Sequence, residues 1–448
     1  MQAGGGKGPI EEIGEKIDGL NRIPLKLSVI AAISLASFFV YYDVSNYAYI
    51  SPVLRNVWGV TDAEIAAGAS LTIVGYLIGA VLITILSDSK GRKTAFIVSI
   101  LLLGVGSILA ALSQNMTHLM VFRLITGAGI GSELAIVSVY IAEMSPKAKR
   151  GKYTSFLAIL GWMGLTSSGP ISLALLQGHS AGIEGWRVVL GLAGIVALVS
   201  LPFRLRMPES PRWLVSKGRL QETNDILQSI GAAKLESTAS SERKARDFKF
   251  LKNKTSLSRI VFLVAVWFLV YIPIYSALLL VVAYVNQGYT ISESISITLL
   301  SGTGFVAGGI AAMLFGDRIE RKYQVATASV ILSIGFILRG LLVHDFAGLV
   351  LAGFIAFFAN AWVITALLTY TAENFPTRIR SSATGIVEGS SRGIAAVSPF
   401  IFIALQPQGF MPLMVGISIF SFVAACVMLV FGIKTRGKPL EKIANDSP

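Results

Sequence analysis

The chain has 448 residues, of which 54% are apolar and only 14% charged, with a mean hydropathy of +0.69. A water-soluble protein of this length needs far more charged surface, so the composition excludes that class and points to a membrane. The net charge of +13 invites a nucleic-acid reading, but all except five of the 38 basic residues fall on one set of alternate loops between apolar stretches, and nucleic acid is excluded as a partner.

Residues 1–24 read as a polar, glycine-rich tail without an apolar core, hence without a cleavable signal. Its run Gly4-Gly5-Gly6-Lys7-Gly8 lacks the spacing of a phosphate loop and follows no strand, so it reads as a flexible tail. Apolar stretches near the length needed to cross a bilayer then recur. The first six are predicted over 25–50, 63–86, 94–113, 118–142, 152–176 and 186–205. Asp43 lies in the first, about 10 Å from its outer end at the helical rise per residue. Arg123 lies at similar depth in the fourth, which continues as Gly127-Ala-Gly129-Ile-Gly131 and carries Glu133. Glycines inside an apolar span let helix backbones approach closely. Asn115-Met-Thr117 is a glycosylation sequon hugging the membrane in a predicted outer loop, and its use stays open.

A charged stretch over 207–258 separates these spans from six more, over 259–285, 292–316, 323–343, 346–371, 381–405 and 410–433, followed by a tail over 434–448. The chain thus divides into a 25–206 bundle, a 207–258 linker with short helices on the inner membrane face, and a 259–433 bundle. The seventh span presents Trp267, Tyr271 and Tyr275 at i, i+4 and i+8; the tenth carries Asn360 and Trp362; the eleventh carries Glu388 and Arg392. The only cysteine, Cys426, sits in the last span and excludes a disulfide scaffold. Of the five basic residues off the favoured loops, Arg55 and Arg187 sit at the other surface and Arg123, Arg339 and Arg392 inside spans. This is the positive-inside pattern, which predicts a multi-pass cell-membrane protein with both termini in the cytoplasm.

The two sets of spans repeat one another. Asp88-Ser-Lys-Gly-Arg92-Lys93 follows the second span and Asp317-Arg-Ile-Glu-Arg321-Lys322 the eighth, an offset of 229. Glu143-Met-Ser-Pro146-Lys-Ala-Lys-Arg150 follows the fourth and Glu373-Asn-Phe-Pro376-Thr-Arg-Ile-Arg380 the tenth, an offset of 230. Two unrelated motifs at one offset imply a parallel six-helix repeat. With Tyr140-Ile-Ala-Glu143, Pro208-Glu209-Ser210-Pro211-Arg212-Trp213-Leu214 and Thr435-Arg-Gly437-Lys-Pro-Leu440-Glu441, these motifs make the chain resemble the major facilitator superfamily, in its group of sugar porters and related transporters. The fold expected is therefore an all-α membrane protein of twelve transmembrane helices in two six-helix repeats, and the resemblance implies a central cavity with alternating access. A transporter rather than an enzyme is expected, without metal or cofactor beyond the proton as coupling ion, acting as a monomer.

The motifs suggest a cytoplasmic gate of charge pairs at helix ends: Asp88, Arg92, Glu143, Arg150, Glu209 and Arg212 in the first half, Asp317, Arg321, Glu373 and Arg380 in the second. Pairs that form only when the inner side is shut stabilise one of two states. Ser89, Thr84, Ile433 and Lys434 depart from the family pattern, so a differently wired network is expected. In proton-coupled sugar porters an aspartate and an arginine match Asp43 and Arg123. The resemblance implies that Asp43 carries the proton and Arg123 is its partner.

Ionisable groups buried in a membrane usually mark function, so Glu133, Glu388 and Arg392 join the candidates for substrate contact with Trp267, Tyr271, Tyr275, Asn360 and Trp362. Glu388 and Arg392 are four apart and share a helix face, so mutual neutralisation and substrate contact both stay open. The amides of a hexose site are absent from the seventh span, and Ala158 replaces the glutamine expected in the fifth. The eleventh span is more similar to organic-ion and aromatic-acid relatives, where an arginine meets a carboxylate. The expectation is proton symport of a small polar solute, leaning to a carboxylate, with a monosaccharide or uncoupled facilitation as alternatives. A nutrient sensor is disfavoured by the proton site and by the lack of a signalling domain.

Overall fold

The computed structural model describes residues 9–20, 23–146, 150–177, 183–229, 233–235, 254–315, 318–375 and 380–435. Gly4–Gly8, Asp317, residues 230–232 and 236–253 of the linker and the Gly437–Glu441 part of the terminal motif lie outside the described residues, as do the side chains of Arg150, Ala158 and Arg380.

Twelve membrane-length helical spans are present among the described residues. The first six are α2 (Leu27–Trp58), α3 (Asp62–Lys90), α4 (Arg92–Ala111), α5 (Met116–Met144), α6 (Arg150–Gln177) and α7 (Gly185–Leu205). In the second set the seventh span is broken into α10 (Lys254–Ser276) and α11 (Leu280–Asn286) by a 3-10 turn after Pro273. It continues with α12 (Ile291–Phe315), α13 (Arg321–Leu341) and α14 (Phe346–Glu373); the eleventh span is α15 (Arg380–Ala395) plus α16 (Ser398–Leu405), and α17 (Phe410–Phe431) is the last. Leu82, Val199, Val261, Phe422 and Val430 are more than half exposed. Such an apolar surface is suited to lipid rather than water.

The helix pairings repeat. α3 packs on α5 as α12 packs on α14, α4 on α7 as α13 on α17, and α2 on α6 as α10 on α15. The start signals repeat as well: Thr61 and Glu64 form a capping box before α3, and Thr290 and Glu293 make the same reciprocal bonds before α12, again 229 residues on. The glycine run does what its composition suggests. A Cβ on Gly127 or Gly131 would collide with the carbonyls of Thr72 and Tyr76, so α5 lies directly against the α3 backbone.

One expectation is corrected. The first span does not end at 50: α2 runs through Pro52 to Trp58, where Gly59 closes it in the left-handed conformation with φ +66. Asp43 is therefore near the middle of its helix rather than near its outer end. The amino-terminal tail carries a helix after its glycine run. Pro9–Asp18 forms the amphipathic helix α1, whose Ile13 and Ile17 pack on Val215 of α8 (Pro211–Ser216) and Leu227 of α9 (Leu220–Ser229).

Candidate functional site

At the face opposite the termini, the two sets are tied together. Arg55 at the end of α2 pairs with Asp62 and donates to Asn286 Oδ1 at 2.6 Å, while Gln406 Nε2 donates to Asp62 Oδ2 at 2.7 Å. Between the sets lies a cavity of about 420 Å³, walled by Tyr41, Tyr76 and Trp162 from the first set and by Tyr271, Tyr275, Phe305, Phe357, Asn360 and Arg392 from the second. That volume suits a small organic molecule.

Arg392 is the cationic group in this wall. Its Nε donates to the Tyr271 hydroxyl at 3.0 Å, Nη1 to the Tyr76 hydroxyl at 2.5 Å and Nη2 to Glu388 Oε1 at 3.3 Å. The last contact is the longest, and both side chains of that ion pair are one-quarter exposed (25% each). Flat rings line another part of the wall: Trp162 stacks on Phe305 at 5.2 Å and Phe305 on Phe357 at 4.6 Å, a continuous face crossing from one set to the other. Several cavity hydroxyls are spent on their own helices, Thr166 on Trp162 O, Thr298 on Ser294 O and Thr365 on Ala361 O. Asn360 is buried, and its Oδ1 accepts no hydrogen bond among the described residues.

Asp43 and Arg123 are brought together. Nη1 of Arg123 donates to Asp43 Oδ1 at 2.7 Å, Ser107 Oγ donates to Asp43 Oδ2 at 2.8 Å, and Arg123 Nε reaches Thr72 Oγ1 at 3.2 Å. Both charged side chains are sealed from solvent.

Three expected substrate contacts point elsewhere. Glu133 faces the interior of the first set, where Arg204 grips it bidentately at 2.5 and 2.8 Å and Ser99 donates to it at 2.7 Å. Arg204 belongs to the last turn of α7 and is fully buried, although its position at the edge of a charged stretch reads as a loop residue. Trp267 Nε1 donates to Thr371 Oγ1 at 2.9 Å and ties α10 to α14. Trp362 turns away from the cavity, stacks on Phe315 and points its Nε1 at Gln324 Oε1, 3.4 Å away. Tyr76, Trp162 and Phe305, by contrast, line the cavity without having been singled out by sequence.

At the face carrying the termini, Arg92 makes a fork with Glu143 at 2.6 and 3.0 Å and reaches Asp88 at 2.8 Å. Glu209 accepts from the backbone N–H groups of Arg92 at 2.8 Å and Lys93 at 3.2 Å, capping α4. Burial pushes its carboxyl above the ordinary carboxylate range, against the pull of those N–H donors and of Arg92. Trp213 Nε1 donates to Asp88 O at 3.1 Å, so Pro208–Leu214 anchors the same corner. Arg212 does not join the network; it pairs with Asp18 of α1 at 3.2 Å. In the second set Arg321 pairs with Glu373 at 3.3 Å, and Thr435 bonds both Glu373 (2.6 Å) and Glu320 (2.8 Å). The terminal strand of chain thus latches this corner where the family pattern departs.

Comparison with known proteins accords with the architecture. The family described as Sugar (and other) transporter matches residues 27–446. The niacin transporter NiaP of Acinetobacter baylyi is 26% identical over 422 residues, covering 92% of this chain and 94% of that protein. The inner membrane metabolite transport protein YdjE of Escherichia coli is 24% identical over 451 residues (97% and 98%), and the benzoate transport protein of A. baylyi 25% over 466 residues (97% and 96%). Among solved structures, a partially occluded inward-open conformation of the xylose transporter XylE from E. coli superposes with a TM-score of 0.76 at 18% identity, covering 92% of this chain and 99% of that one. At that identity the likeness concerns the fold.

Proposed function

The chain belongs to the sugar (and other) transporter family, and from that premise we propose that it is a proton-coupled symporter of a small aromatic monocarboxylate. One observation carries the substrate reading: Arg392 stands in a cavity whose other lining residues are mostly apolar, eight of them aromatic. Its guanidinium offers a planar, permanently charged fork to a carboxylate, while the Trp162–Phe305–Phe357 face offers a flat apolar surface to a ring. The names of two relatives, a niacin and a benzoate transporter, are those of aromatic monocarboxylates. A monosaccharide needs several fixed donors and acceptors; the observation favouring it is the open acceptor Asn360 Oδ1. Counterflow in liposomes against labelled benzoate, nicotinate, xylose and glucose tests the choice. Exchange of the acids is expected; exchange of a sugar alone returns the sugar to first place.

Uphill movement is assigned to Asp43 as the proton carrier, with Arg123, 2.7 Å away, as its partner. The termini face is assigned to the cytoplasm by the basic loops, and the Arg92–Glu143 and Arg321–Glu373 corners to the gate that shuts it. Glu143→Gln is expected to favour the state open on that face. Loss of such a part-exposed pair is worth about 1 kcal/mol, or about fivefold in the ratio of states. Cysteines placed in the termini-side half of α5 or α14 should label faster; unchanged labelling would mean that these charges merely solvate helix ends.

A further inference from the structure

Beside the large cavity lies a second void of about 40 Å³, whose lining includes Thr72, Tyr76, Arg123 and Tyr275. Val44, Tyr76, Tyr275 and Leu278 also line the large cavity, so a single layer of side chains, two of them tyrosines, separates the void that Arg123 lines from the substrate wall. Tyr76 is the one of the two that holds Arg392: it accepts Nη1 at 2.5 Å, and its ring lies 4.9 Å from the guanidinium carbon. On the other side, Arg123 Nε already reaches Thr72, four residues before Tyr76 on α3. Residues four apart share a helix face, about 6 Å along the axis. Gly131 holds α5 against the Tyr76 carbonyl, so the spacing between the two helices is fixed and only side chains have to move.

We propose that the Tyr76 hydroxyl is handed between Arg392 and Arg123, so that protonation of Asp43 releases Arg392 to the carboxylate of the substrate. The inference rests on the symport reading above. With Asp43 ionised, Arg123 is neutralised by it, and Tyr76 keeps Arg392 engaged. With Asp43 protonated, Arg123 becomes a buried cation without a counter-charge beside it, and the void leads it one helical turn along α3 from Thr72 to Tyr76. Two guanidinium groups on one hydroxyl repel each other, so Arg392 turns toward the cavity, where an anion answers both charges. By reciprocity, the bound anion then holds the proton on Asp43. The groups facing this path are Ser107, Tyr42 and Tyr47 beside Asp43 and Arg123, Tyr275 in the dividing layer, and Tyr41, Tyr271 and Glu388 around Arg392. Of these, Glu388 competes with the substrate for Arg392.

The test is equilibrium binding of benzoate and nicotinate to the purified protein at mildly acidic and mildly alkaline pH. The parent is expected to bind about tenfold more tightly at the acidic pH. Tyr76→Phe keeps the ring, removes the hydroxyl and releases Nη1 of Arg392 at both values, so its two affinities should differ by less than about twofold, close to the acidic parent value. Tyr76→Leu should flatten the dependence in the same way. A Tyr76→Phe protein with the full parental slope overturns this inference and leaves symport standing. A parent whose binding ignores pH overturns the proton coupling together with the inference, and a parent that binds neither acid overturns the substrate reading and the inference with it.

Discussion

Asp43→Asn is expected to abolish pH-driven accumulation in proteoliposomes while counterflow of the same solute survives. Net uphill flux requires a proton to be taken up on one side and released on the other, whereas exchange only shuttles the loaded carrier. Asparagine fits the site: its oxygen still accepts from Arg123 or Ser107, the two donors now 2.7 and 2.8 Å from the carboxylate. What disappears is the charge, leaving Arg123 buried beside a neutral partner. Breaking one side of a buried ion pair typically costs about 3–5 kcal/mol, so a melting curve has to accompany the flux measurement. Glu133→Gln is the matching control, because it strands Arg204 just as severely but in an interior that faces neither cavity. It should lower the melting temperature and leave accumulation coupled in whatever protein remains folded. If Asp43→Asn still concentrates solute on an imposed pH gradient, or if Glu133→Gln is the variant that uncouples, the proton belongs elsewhere.

The contrast between those two acids also shows what a sequence of this kind discloses. Hydropathy and the placement of basic residues give the spans, because lipid forces length and composition on every one of them. Repeated motifs at a constant offset give the symmetry, later met again in the paired capping boxes at Thr61 and Thr290. Asp43 and Arg123 were legible as partners because motifs and depth both pointed at them. The rotation of a helix was not legible. In a membrane bundle the lipid face and the packed face are both apolar, so periodicity does not say which way a side chain looks. Trp267 and Tyr271 are one turn apart on α10, yet one is tied to Thr371 while the other meets Arg392 in the cavity. Glu133 was misread for the same reason, compounded by Arg204, whose charge placed it in a loop although the last turn of α7 buries it. Tyr76 left no signal, since its importance comes from what α15 brings opposite it.

Arg392→Lys is expected to weaken binding of benzoate or nicotinate by about tenfold or more, roughly 1.4 kcal/mol. Lysine keeps the charge but concentrates its donors at one point, and it cannot hold Tyr76 and Tyr271 while offering a parallel pair of N–H groups to a carboxylate. The rival reading is that Glu388, one turn away, occupies the guanidinium permanently. The geometry weighs against it: the Glu388 contact, at 3.3 Å, is the longest that Arg392 makes, and the pair is a quarter exposed. Glu388→Gln should therefore tighten anion binding by removing a competitor and leave the melting temperature near that of the parent. Were the pair structural instead, the same substitution would strand a buried cation and lower stability by about 3 kcal/mol or more. Binding isotherms and melting curves for parent, Arg392→Lys and Glu388→Gln separate these outcomes. A destabilised Glu388→Gln, together with a parent that binds no organic acid, would end the carboxylate reading. Asn360, with its open acceptor, would then be the residue from which to rebuild the site around a hydroxyl-bearing solute.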